Sequence, residues 1–295
     1  MGALDGMYAV LNFKDTLGLT SDNPMVVGIG DYGGALATGW AASLQPTTYA
    51  PELEIKGWVQ GGTPSNLTGS LVFIDGTKFA SFLPTAVVGI STPSTYGASL
   101  APVIDRVLTA KGRKILDFAA FNCAVANLLN LADQSLFDTS LQTLGRGLLD
   151  EPTVSYVMGQ NTMGVNQTET PTVPVFVYHA TKDGIIPYSN ASTMVDSWCN
   201  NGADVKFTTF GNGGHATTKV IGLPDVVKST EAAFAGTIES SCSANTELNS
   251  LLNPIALGVE LEPILTMLLQ VLGELGKGYF NIKQNLSVLQ KNVSP

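Results

Sequence analysis

The sequence predicts an α/β protein built on a parallel sheet, and three observations carry that reading. Short apolar runs at 25–29 (MVVGI) and 173–180 (VPVFVYHA) have the length and composition of buried parallel strands, and 55–61 (IKGWVQG) and 205–210 (VKFTTF) read as further strands. Segments with helical patterning separate them, as the crossovers of a parallel sheet require. Glycine-rich turns follow the first and last runs, GDYGG at 30–34 and GNGGH at 211–215.

Taken in order, residues 3–17 read as a helix, with Leu4, Met7, Leu11 and Phe13 near one face. Residues 20–24 (TSDNP) are a turn. The strand at 25–29 runs through the GDYGG turn into a helix of small residues at 35–44, which Pro46 stops. After the second strand, residues 63–165 change character, with helices expected at 99–109, 114–131 and 135–149. The third strand leads into a helix within 186–200, the fourth into a loop bearing His215, and a last helix is expected at 223–234. On this reading residues 1–62 carry the turn-bearing part of a core. Residues 63–165 form a helical cap or lid insertion, 166–245 complete the core, and 246–295 form a C-terminal flap or tail.

Composition narrows the function classes. The chain has 295 residues, 15 Lys plus Arg and 24 Asp plus Glu, for a net charge of −9. That balance argues against nucleic acid as a partner, because phosphate backbones demand clustered cations. No uncharged apolar run reaches the length of a transmembrane helix; the richest stretch, at 255–272, contains Glu260, Glu262 and Pro263. The N-terminal residues lack the basic and apolar blocks of a signal peptide. Five N-x-S/T sequons, at Asn66, Asn166, Asn190, Asn285 and Asn292, lend weak support to secretion. Two distant histidines and three scattered cysteines do not match zinc-site spacing, so no metal or cofactor is expected.

Three pieces carry the chemistry. The strand–turn–helix MVVGIGDYGGALATGWA has the shape of a nucleophile elbow, in which glycines permit a strained turn and close backbone approach. It lacks both the lysine of a P-loop and the glycine spacing of a dinucleotide fold. The run VPVFVYHATKDGIIPY is a strand with Asp183 just beyond its C-terminal edge, and TFGNGGHATT places His215 in a loop between strand and helix. Nucleophile, Asp and His in that chain order is the order of α/β-hydrolases. The carboxylate would steady one imidazole nitrogen while the other takes a proton. His179 lies inside a strand and is expected to hydrogen-bond in the core. The nucleophile position holds Tyr32, and a phenol ionising near pH 10 is a poor nucleophile at neutral pH. In a second register Asp31 occupies the turn, and Asp-Tyr-Gly-Gly resembles the carboxylate elbow of haloalkane dehalogenases and epoxide hydrolases.

The chain as a whole resembles the secreted fungal triacylglycerol lipases of the yeast lipase A type. The resemblance rests on GGALATGWAASLQPTTYAPEL after the elbow, GGTPSNL at 61–67, HATKDGIIPY at 179–188 and GHATTKVIGLPDVV at 214–227. It implies an α/β-hydrolase-like parallel sheet with a helical cap, Asp183 and His215 at the acid and base positions, and the Gly33 amide as an oxyanion donor. It also implies that Cys199 pairs with Cys242, and that Cys123 matches a cap cysteine whose partner lies elsewhere. The family elbow reads Gly-Tyr-Ser-Gly-Gly, so Tyr32 stands at the serine and Asp31 at the tyrosine. In the family four strands and a second oxyanion donor precede the elbow, and here one helix does. The expectation is therefore a chain without those strands and that donor, its elbow strand a raw sheet edge.

Three functional readings follow. The first is a secreted, monomeric lipid-ester hydrolase acting at an oil–water interface, weakened or inactive because Tyr32 replaces serine. The second is a hydrolase of the epoxide or haloalkane type with Asp31 as nucleophile. The third is a non-catalytic lipid-binding protein, for which the apolar stretch at 251–272 offers a surface.

Overall fold

The computed structural model describes residues 2–45, 49–211 and 214–247. The elements run α1 (Gly2–Asn12), β1 (Val26–Asp31), α2 (Gly33–Leu44), β2 (Ile55–Gly61), α3 (Leu67–Ile74), α4 (Phe82–Ile90), α5 (Gly97–Val107), α6 (Ala110–Phe121) and α7 (Ala124–Asn130). They continue with α8 (Pro152–Gln160), β3 (Val175–Ala180), α9 (Tyr188–Asn200), β4 (Val205–Phe210), α10 (His215–Ala235) and β5 (Ser243–Glu247). The chain divides into two compact units, one holding residues up to 73 and from 161 to 247, the other residues 74–160. The stretch at 251–272, and all but the first two residues of the expected 246–295 tail, lie outside the described residues.

The first unit is an α/β sandwich. Its sheet has five strands in the order β1-β2-β3-β4-β5, every neighbouring pair parallel. All five strands therefore end at one edge, where loops from successive strands converge. The four apolar runs form β1 to β4. The fifth strand, SANTE, has no apolar run and is almost fully exposed, which is why patterning missed it. One face of the sheet packs Trp58, Val175, Val177, Val205 and Phe207 against Leu4 of α1, Ala41 and Ala42 of α2, and Met194, Val195 and Trp198 of α9. The opposite face packs Val59, Phe176, Tyr178 and Phe210 against Val226 of α10. Burial on both faces explains the apolar character of β2, β3 and β4, whereas the edge strand β1, expected to be buried, is only partly so, with Ile29 50% exposed. A disulfide between Cys199 and Cys242 ties the end of α9 to the start of β5, while Cys123 is free and exposed.

The second unit is helical, and here the sequence reading needs correction. The helix expected at 114–131 is two, α6 and α7, broken at Asn122 and Cys123, whose extended backbone ends one and caps the other. The segment expected to be helical at 135–149 is a run of turns ending in a short 3-10 helix at Gly145–Asp150. Side chains capture its backbone. Asp138 accepts from the Ser140 N–H at 2.7 Å, and Gln142 bonds the carbonyls of Leu136 and Gly145 at 3.1 and 2.8 Å. Such local capture competes with helical hydrogen bonding. Helices α3, α4 and α8 add to the helical segments expected within residues 63–165. The first helix stops at Asn12 rather than residue 17, and the last begins at His215, running through Pro224. Among the described residues no helix is long and apolar enough to cross a membrane.

Candidate active site

The elbow begins with an unusual backbone. Tyr32 links β1 to α2 at φ 55°, ψ −111°, a region an L-residue enters at a cost of about 1–3 kcal/mol. Neighbours hold it there. Its N–H donates to the Gly61 carbonyl of β2 at 2.8 Å, and its carbonyl accepts from the Leu36 N–H of α2 at 2.9 Å. Gly30 makes the turn possible, because a Cβ there would run into the Gly34 carbonyl at the start of α2. Gly33 is the first residue of α2, so its amide follows Tyr32 directly.

Asp183 arrives from β3. Its N–H donates to the Ala180 carbonyl at 3.3 Å, which folds the chain back at the strand's end. Its side chain is 1% exposed. Oδ1 accepts from the backbone N–H groups of Ile185 and Ile186, at 2.8 and 2.9 Å. The Nδ1 of His215 lies 3.0 Å from Oδ1 and 2.9 Å from Oδ2. His179, fully buried, stands 3.5 Å from Oδ2 and donates from Nε2 to the Ile186 carbonyl at 3.1 Å. Burial alone would push the carboxyl up. Hydrogen bonds from His179, His215 and the Ile186 and Ile185 amides outweigh it and hold the carboxyl well below the usual range. Asp183 is thus an anion at neutral pH, with His215 on one side and the core histidine on the other.

His215 opens α10, directly after the loop from β4. Tyr32 meets it face to face, ring centroids 3.6 Å apart and planes inclined by 25°. The phenol hydroxyl donates to the backbone carbonyl of His215, not to an imidazole nitrogen. Burial first, and then the negative charges of Asp31 and Asp183, raise the phenol well above its ordinary ionisation, against a lowering contribution from the Lys219 backbone. The phenol therefore stays protonated throughout the neutral range.

Asp31 points elsewhere. Its Oδ1 accepts from the Tyr178 hydroxyl, and its Oδ2 stands 3.4 Å from the Lys219 ammonium. Burial, with the bond to Asp31, raises Tyr178 well above a free phenol. Tyr178 and Lys219 were not singled out in the sequence. Tyr178 reads as a strand core residue, and Lys219 meets Asp31 only because α10 starts four residues earlier, at His215. The structure thus gathers Tyr32, Asp183 and His215 at the sheet edge, with Gly33 next to Tyr32, and gives Asp31 partners of its own. Among the described residues no group of His, Cys, Asp and Glu could hold a metal ion.

A parallel sheet flanked by helices, with a strained strand–helix elbow and a His–Asp pair just beyond the ends of later strands, defines the α/β-hydrolase class. The family model described as "Secretory lipase" matches residues 1–241, and the chain belongs to that family. It is 38% identical to the secreted triacylglycerol lipase LIP1 of Malassezia furfur over 274 residues, 92% of this chain and 55% of that protein. It is 41% identical to the secreted triacylglycerol lipase LIP3 of Malassezia restricta over 227 residues, 76% of this chain and 47% of that protein. The chain therefore spans about half the length of these relatives. Among solved structures, Candida antarctica lipase A superposes with a TM-score of 0.74 at 29% identity, covering 88% of this chain and 60% of that one. The cell wall degrading esterase LipA of Xanthomonas oryzae shares the fold, with a TM-score of 0.53 at 13% identity over 77% of this chain and 60% of its own.

Proposed function

We propose that this chain is a secretory-lipase sheet whose nucleophile position is filled by Tyr32, and that it hydrolyses carboxylic esters poorly or not at all. Asp183 and His215 are its acid–base pair, the Gly33 amide is its oxyanion donor, and its ligand class is the lipid ester met at an oil–water interface. The observation that carries this reading is the Tyr32 ring lying on the His215 imidazole, with its hydroxyl spent on a backbone carbonyl. Acyl transfer needs an oxygen at the elbow that gives its proton to an imidazole nitrogen as it attacks. A stacked phenol cannot present its oxygen to that nitrogen, and its raised ionisation leaves it a weaker nucleophile still.

The rest of the reading follows from the neighbours. Asp183 holds one imidazole nitrogen through its short contacts with Nδ1, which leaves Nε2 as the nitrogen for proton transfer. A carbonyl oxygen over the elbow would meet the Gly33 amide at the N-terminus of α2, where the helix dipole favours negative charge. Neither step calls for a metal or a cofactor. The location proposed is extracellular and the state monomeric, the former because the matched relatives are named secreted. The reading with Asp31 as nucleophile is disfavoured, because that carboxylate is engaged by Tyr178 and Lys219. The test is hydrolysis of a short-chain nitrophenyl ester by the purified chain. Release of nitrophenol at the buffer rate is expected, and clear turnover that survives purification would overturn the proposal.

A further inference from the structure

We infer that Asn166 is an N-glycosylation site of the folded chain, and that the sequons at Asn66 and Asn190 are closed to glycans by the fold. This rests on the proposed secretory route, since the modification requires passage through it. Three of the five sequons lie in the described residues, and their surroundings differ.

Asn166 sits in the segment between α8 and β3, at the head of the short 3-10 helix Gln167–Glu169. Residues 165–168 are all exposed, with Val165 72% accessible. The acceptor amide and the sequon hydroxyl already face each other. The Oδ1 of Asn166 accepts from the Thr168 hydroxyl at 2.9 Å and from the Thr168 N–H at 3.1 Å. Its Nδ2 donates to Glu169 Oε1 at 3.1 Å from an exposed position. Modification leaves this turn intact. Nδ2 attacks the anomeric carbon of an oligosaccharide carried on a polyprenyl diphosphate. An N–C bond forms, the C–O bond to the diphosphate breaks, and the nitrogen gives up one of its two protons. The untouched Oδ1 preserves the Thr168 bonds that cap the helix, and the remaining N–H keeps a donor for Glu169.

Asn190 has the opposite environment. It lies within α9, and its Nδ2 is directed at the Asn66 backbone carbonyl, 3.4 Å away. Its amide is pressed against Gly69 of α3, where even a Cβ would collide with the Asn190 side chain. A sugar on Nδ2 would have to occupy the space that α3 fills. Asn66 is likewise engaged in structure. Its Oδ1 accepts from the Gly69 N–H at 2.9 Å, its backbone pairs with Thr162, and the residue is partly buried. Asn190 is thus packed against α3 and Asn66 is partly buried beside it, whereas Asn166 faces solvent.

The test directs the full chain into a yeast secretory pathway with a fused leader, so its outcome does not depend on where the protein resides or whether it turns over esters. The protease-resistant pool with a closed Cys199–Cys242 disulfide is collected. It is treated with a peptide N-glycosidase in heavy-oxygen water and mapped by mass spectrometry. Occupied asparagines return as labelled aspartates. Asn166 is expected to carry the label, and Asn66 and Asn190 are expected to be unlabelled. Asn166→Gln removes the label at that site. Thr168→Ala removes it too while keeping the asparagine cap, so a folding failure of the first variant does not shelter the proposal. A folded pool without label at Asn166, or with label at Asn66 or Asn190, would overturn it.

Discussion

The ring of Tyr32 covers the imidazole of His215, with centroids 3.6 Å apart, at the point where a hydrolase elbow presents its attacking oxygen. Removing the phenol uncovers the imidazole and places a hydroxyl at the elbow in one step. Tyr32→Ser should therefore raise nitrophenyl ester hydrolysis above the parent's. Among the described residues the Gly33 amide is the oxyanion donor assigned, and each such donor is worth about 10²–10³-fold, so the gain over the parent should be modest. Initial rates for parent and variant decide this, and an unchanged rate in the variant would count against the role given to Tyr32.

Asp183 makes a second prediction through acid stability. Its folded ionisation lies below the unfolded one. Its contribution is therefore complete above the unfolded value of roughly pH 4 and is lost as pH falls through the lower folded value. Asp183→Asn should cost about 1–3 kcal/mol in urea unfolding at pH 7, because it removes charge from four hydrogen bonds in a buried site. The gap between parent and variant should shrink below pH 4. A gap that widens there would contradict the assignment.

Two glycines of the elbow should behave in opposite ways. Gly30→Ala drives a Cβ into the Gly34 carbonyl and should cost more than about 2 kcal/mol or prevent folding. Gly33→Ala meets nothing within 4 Å, keeps its amide, and should change stability by about 0.5 kcal/mol or less. Chemical denaturation of the two variants side by side separates steric closure from general sensitivity of the turn.

Much of this was legible because the elbow imposes strict local chemistry. Gly30 admits no side chain, Asp183 must stand just beyond a strand, and His215 must follow the next strand, so spacing betrays all three. That the side chain at position 32 meets the His215 imidazole was legible from the elbow; that it stacks on the ring was not, because stacking depends on where a ring turns once α10 is seated on the sheet. The Asp31–Tyr178–Lys219 cluster was hidden for the same reason: it joins three elements and follows no spacing rule. In the core, β2 to β4 announced themselves through burial and the edge strand β1 through its apolar run, although Ile29 is half-exposed, whereas the polar, exposed β5 is held by its pairing with β4 and by Cys242. In the helical unit, capture of the 135–149 backbone by Asp138 and Gln142 overrode apolar spacing.

The Cys199–Cys242 bridge closes a stretch of 43 residues that includes β4 and α10. Loop closure of that length contributes about 4 kcal/mol through the unfolded chain. Replacing both cysteines with alanine should lower the urea midpoint accordingly, and reductant should lower the parent's midpoint without affecting the double variant. A parent insensitive to reductant would show that the bridge adds little.

The shared anchorage of two imidazoles on Asp183 has a thermodynamic corollary. Whatever displaces the core ring of His179 also shifts the oxygen on which His215 leans, although the two rings belong to different elements. In a double-mutant cycle the pair should show a coupling energy well away from zero, as for any two groups joined through one anchor. A histidine that pattern reading assigns to the core is thus wired, through a single carboxylate, to the working edge of the sheet.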